Sequence, residues 1–303
     1  MRVTNSMLTD GFMRNLRTNL KGLDVIQRKL SSGKEVNRPS DDPVRLQQIL
    51  NLDTAQDQTE QFLRNIDNAS SYLATTEGAL NQAMSLLSRA SELGTRSLNG
   101  SNNQEAMDAT AQEVKQLLEQ LVEVANTAHT GRYVFAGTDT TTKPYSINTA
   151  DLTVTSHSAA KDGSIEYEVG PGVKMAINTT GSAAFGEIQS ANSQDAFTAL
   201  KELADAMHSD NKTAVGAAMD KLEKASDKML TSRTDLGARM NRLEATEDRY
   251  QEDLVNIKDL KSKSADADMA YVIMELKTQE SVYQASLAAG ARIIQPSLVD
   301  FLR

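Results

Sequence analysis

Four groups of residues in this 303-residue chain have types and spacings that could carry chemistry. Asp41 and Asp42 stand side by side, as a pair of carboxylates would for general acid–base work. Ser31, Ser32, Gly33 and Lys34, read as "SSGK", have the composition of a phosphate loop. Asp266 and Asp268 could hold a cation. His129, His157 and His208 complete the inventory. A plainer reading fits each group better. A P-loop needs a leading glycine, a four-residue spacing and a preceding strand, and the segment has none of these. Asp266 and Asp268, two apart on a helix, point in different directions. Following Ser264, they read as negative charge at the start of the last helix. The histidines fall on separate segments without metal-site spacing. Asp42 precedes Pro43, so it reads as an N-cap with proline at the first helical position. Arg45 stands where a glutamate would close a capping box. The sequence therefore assigns no catalytic, cofactor-binding or metal residues. It leaves Gly33, Asp41, Asp42 and Pro43 as a polar joint and helix cap between two helical segments.

The elements around that joint are long. Apolar side chains make up 39% of the chain, aromatics only 4%, and tryptophan is absent, which suits extended helices better than a deep enzyme core. The net charge of −9 argues against nucleic acid as a partner, since phosphate binding needs concentrated positive charge. Residues 1–45 run the other way, at +4. Without cysteine there is no disulfide, thiolate or cysteine-ligated metal. No apolar run is long enough to insert in a membrane, and the first residues have no signal-peptide pattern.

Three heptad series stand out. Phe12, Leu16, Asn19, Leu23, Ile26 and Leu30 form the first, interrupted by the polar Asn19. The second runs from Leu52 through Ile66, Leu73, Leu80 and Leu87 to Ala90 and predicts a helix roughly 80 Å long from Pro43. Met107 to Ala128 continues in a third helix folding back after "NGSNN". Later, Leu222, Met229, Leu236, Leu243 and Tyr250 recur every seven residues. After a phase slip near Lys261–Asp268, a new seam takes Met269, Ile273, Leu276, Tyr283, Leu287 and Ile294. Between these halves, alternating residues at 152–155, 165–169 and 173–177 predict short antiparallel strands.

The expected fold is mainly α: a long antiparallel helical bundle or coiled coil built from both termini, with a small β-rich domain inserted in the middle. Residues 1–42 with 262–303 form a discontinuous terminal coiled-coil domain. Residues 43–138 with 188–261 form a discontinuous helical bundle, and 139–187 the insert. The stripes at the two ends lack an intrachain third helix. This marks Phe12, Leu16, Leu23, Ile26, Leu30, Ile273, Leu276, Tyr283, Leu287, Ile294, Leu298 and Phe301 as expected assembly residues.

"KLSSGKEVNRPSDDP" near the start and "SADADMAYVIMELKTQESVYQASLAAGARIIQPSLVDFL" at the end together resemble the paired terminal signatures of the flagellin superfamily. Within it, Pro43, "GRYVFAGT" (residues 131–138) and "INTTGSAAFG" (residues 177–186) resemble the hook–filament junction branch. A filament flagellin is the alternative. The resemblance implies an extracellular structural subunit of the bacterial flagellum and no enzyme. It further implies a ring-like homo-oligomer whose terminal helices line a tube. The implied partners are the first hook-associated protein, flagellin and a cytoplasmic export chaperone, with export that cleaves no signal peptide.

Overall fold

A computed structural model describes residues 5–99, 104–148, 151–157, 163–188 and 195–294. In chain order the helices are α1 (Asn5–Ser32), α2 (Pro43–Asn99), α3 (Gln104–Ala125), α4 (Gly181–Phe185), α5 (Ala196–His208), α6 (Lys212–Ala265) and α7 (Met269–Ile294). Between α3 and α4 lie the strands β1 (Ala128–His129), β2 (Arg132–Tyr133), β3 (Tyr145–Asn148), β4 (Thr153–Ser156), β5 (Glu166–Gly170) and β6 (Val173–Ala176). The fold is mainly α, with helices from both ends of the chain packed together and small antiparallel hairpins in the middle. Two compact units result: residues 1–59 with 252–303, and residues 60–251. Both divisions of the chain therefore fall inside a helix, within α2 and within α6.

The second unit owns the large core. The heptad residues Ile66, Ala69, Leu73, Thr76, Leu80, Ala83, Leu87 and Ala90 of α2 are all buried. All of them but Thr76 share one cluster with Val114, Leu118 and Leu121 of α3 and with Leu222, Met229, Leu236 and Leu243 of α6. Small residues alternating with leucine along such a seam let helices approach closely. Side chains also tie the helices: Arg89 of α2 donates to Glu113 of α3, and Arg233 of α6 to Glu77 of α2, each at 2.8 Å.

The expected insert has no core of its own. Its strands form three separate two-stranded antiparallel sheets, β1–β2, β3–β4 and β5–β6. Tyr145, Val154, Val169, Met175, Ile177 and Phe185 all join the helical cluster instead. Hairpins this short cannot stand alone in water, so asparagine side chains complete their backbone pairing. Asn126 accepts from Tyr145 N and donates to Tyr145 O, both at 3.0 Å. Asn178 does the same between Ile165 N and Gly163 O, at 2.8 and 2.7 Å. Phe135, Tyr145, Phe185 and Phe197 pack with ring centroids 5.0–5.9 Å apart. Phe197 comes from α5, a 13-residue helix packed on α3 whose start is capped by Asp195, accepting from Thr198 N at 2.7 Å. The heptad pattern had not singled out α5.

Candidate functional site

Gly33 ends α1. Its φ of +69° is the left-handed conformation in which helices commonly stop, and its N–H still donates to Lys29 O at 2.9 Å. Nine residues later Asp42 caps the start of α2. Its Oδ1 accepts from the amides of Val44 and Arg45, both at 3.0 Å, with Pro43 as the first helical residue. Asp41 turns inward to the loop, its Oδ2 accepting from Arg38 N at 3.0 Å and from Asn37 N at 3.4 Å.

The polar joint at 33–42 has a counterpart. Residues Asp266–Asp268 separate α6 from α7, where the phase of the heptads slips. Asp268 Oδ1 caps α7 by accepting from Ala270 N and Tyr271 N, at 3.0 and 3.2 Å. Asp266 instead takes the Ser262 hydroxyl at 2.6 Å. The structure brings these two joints together. Lys34 and Asp266 face each other as an antiparallel backbone bridge. On either side, Glu35 N donates to Ala265 O at 2.8 Å and Ala267 N to Gly33 O at 2.9 Å. Val36, Ile49 and Ala265 make a small second core beneath, with Leu46 packed on it. Lys29 meets Glu35 at 2.6 Å across the end of α1.

From this clasp α1 and α7 run as an antiparallel pair. On α1, Ile26 is buried and Phe12, Leu16, Asn19, Leu23 and Leu30 are half-buried. On α7 the facing positions are Val272, Leu276, Gln279, Tyr283, Ser286 and Gly290. The expected seam shares Leu276 and Tyr283 with this face. Ile273 and Leu287, however, remain exposed at 49% and 44%. The seam turned one residue because Gln279 and Ser286, polar and invisible to an apolar pattern, occupy inner positions. Ile294 is the last helical residue of α7, and Leu298 and Phe301 lie outside the described residues.

Apolar exposure is concentrated here. Among the described residues, thirteen of the fifteen large apolar side chains left exposed belong to the first unit. Met274, Tyr271 and Met7 are 59%, 57% and 63% exposed.

The histidines stay apart. His129 meets Thr75, His157 meets Ser146, and His208 meets Asp108. Among the described residues no three His, Cys, Asp or Glu side chains group as a metal site, and no helix is long and apolar enough to cross a membrane.

Fold and site together define a class: long helical chains whose two ends meet in one antiparallel pair, hinged on capped polar joints. Residues 3–140 match the bacterial flagellin N-terminal helical region, and residues 219–302 the bacterial flagellin C-terminal helical region. Together these matches take in well over half of the sequence, and the chain belongs to the flagellin family. Flagellar hook-associated protein 3 of Escherichia coli is 27% identical over 310 residues, covering 95% of this chain and 96% of that protein. A flagellin of Halalkalibacterium halodurans is 28% identical over 291 residues, covering 93% and 92%. The solved structure of the flagellar junction protein FlgL from Legionella pneumophila has the same fold, with a TM-score of 0.60 at 18% identity. It covers 74% of this chain and 100% of that one.

Proposed function

We propose that this chain is a structural subunit of the bacterial flagellum, a hook-associated junction protein that connects the hook to the flagellin filament. The observation that carries the reading is its end-to-end likeness to hook-associated protein 3 of Escherichia coli. Its action is mechanical and needs no catalysis or cofactor. The second unit supplies a closed, self-supporting body. The first unit, with its apolar faces left open, supplies contacts to copies of the chain in a ring-like oligomer, to the first hook-associated protein on one side and to flagellin on the other. Water-exposed apolar rows of this size favour protein contacts, which supports Ile273 and Leu287 as assembly residues. In this reading the subunit is extracellular, and a cytoplasmic chaperone escorts it into an export route that cleaves no signal peptide. Gly33, Asp41, Asp42 and Pro43 set the geometry of the joint.

A second reading, filament subunit, is favoured by the likeness to the Halalkalibacterium flagellin. Gold-labelled antibody on isolated flagella separates the two. A narrow band at the hook boundary is expected; label along the whole filament would establish the second reading and overturn the first.

A further inference from the structure

Asn19 interrupts an otherwise apolar seam, and neither the joint nor the exposed faces explain it. Its Nδ2 donates to Ser286 Oγ at 3.0 Å, while that hydroxyl donates to Val282 O at 2.7 Å. Gln279 Nε2 donates to the backbone oxygen of Asn19 at 3.2 Å. The glutamine lies against Gly22, where a Cβ would come within 2.9 Å of its Nε2. Further along the pair, the Phe12 ring fills the space a side chain at Gly290 would need. At the other end, the Lys34–Asp266 bridge joins the two backbones.

These three features all select one alignment of α1 on α7. The apolar residues alone do not. Leu16, Leu23 and Leu30 repeat every seven residues, as do Leu276 and Tyr283 with Gly290. A slip of seven residues, about 10 Å along the axis, would again set leucine against leucine or tyrosine. In that slipped alignment Asn19 would lose Ser286, Phe12 would lose its glycine notch, and the backbone bridge would open. A polar residue inside a coiled-coil seam specifies register at some cost in stability.

We propose that Asn19, with Ser286 and Gln279, is a register lock for the terminal helix pair, acting together with the Phe12–Gly290 notch and the Lys34–Asp266 clasp. The lock fixes how the outward faces of α1 and α7 are aligned along the axis, and so the surface offered to a second copy. The inference rests on the assembly reading above.

The absence of cysteine gives a clean test. Lys34 and Asp266 are a pair flanked by hydrogen bonds on both sides, a geometry with Cα atoms about 4.5 Å apart that a disulfide can bridge. Lys34→Cys with Asp266→Cys, in the full chain collected from both isolated flagella and the surrounding medium, therefore reports the native register as an internal cross-link. Adding Asn19→Leu is expected to lower the ratio of cross-linked to uncross-linked chain roughly fivefold, the ratio that one lost hydrogen bond supports, with total helicity unchanged. Asn19→Ser, which keeps a hydrogen-bonding group, restores most of it. Oxidising the cysteine pair before assembly rescues incorporation of the Asn19→Leu chain. Undiminished cross-linking and normal incorporation of Asn19→Leu would overturn the lock alone. Failure of the chain with native Asn19 to enter flagella at all would count against the assembly reading and, with it, this one.

Discussion

The two units of this chain solve burial in opposite ways. Residues 60–251 hold forty-four of the forty-nine buried apolar side chains among the described residues and leave two large ones exposed, Val173 and Leu230. Residues 1–59 with 252–303 bury five and expose thirteen. Charge divides the same way. The second unit carries the whole net −9, and the first is neutral. A body with a closed core and a net charge well away from zero resists association with its own kind. A neutral helix pair with open apolar rows is finished only when something covers it. The comparison teaches that stability and assembly are carried by different residues, so mutations should separate them.

The largest effect is expected where the core is densest. Phe185→Ala empties the centre of the aromatic group and should cost about 3–5 kcal/mol in denaturant unfolding. A loss below about 1 kcal/mol would mean that the hairpins do not share the helical core as described.

Next comes a pH effect confined to the same unit. The Tyr72 hydroxyl donates to Val134 O at 3.0 Å. Burial, and to a lesser degree the neighbouring Tyr167, push its phenol up to about 12. Because the folded state favours the neutral form, this contribution is complete below the ordinary tyrosine value near 10. It disappears as pH rises toward about 12. Unfolding free energy should fall across that window on the order of 2 kcal/mol, and Tyr72→Phe should flatten the fall. An unchanged slope in the variant would place the titration elsewhere.

A smaller effect belongs to the joint. Asp42→Ala removes acceptors for two amides and should cost about 1 kcal/mol. The loss should appear as faster amide exchange at Val44 and Arg45, with exchange in residues 60–251 unaltered. Faster exchange throughout the second unit would show that the two units unfold as one.

Much of this arrangement was legible in the residues. The α2 seam was readable because apolar and small residues keep heptad steps over twelve positions without a break, and tertiary packing agreed with that local pattern. The cap at Asp42 was readable because proline fixes where a helix can begin. The break at Asp266–Asp268 announced itself as a phase slip. Other features left no such trace. The clasp is made by backbone atoms more than two hundred residues apart, and backbone pairing carries no side-chain signal. Inner positions of α7 taken by Gln279 and Ser286 carry no apolar signal, so that part of the face α7 turns to α1 left no mark in the apolar pattern. The 13-residue α5 is too short to show a heptad repeat. The hairpins alternate as strands should, but alternation does not reveal which core they join.

The division between a self-supporting unit and an assembling one is tested most directly by changing only the exposed face of α7. The triple variant Ile273→Glu, Met274→Glu, Leu287→Glu alters side chains 49%, 59% and 44% exposed. Surface changes of this kind each shift stability by no more than about 0.5 kcal/mol. The account predicts an almost unchanged melting temperature and a chain absent from isolated flagella. A triple variant that enters flagella as readily as the parent chain would contradict it.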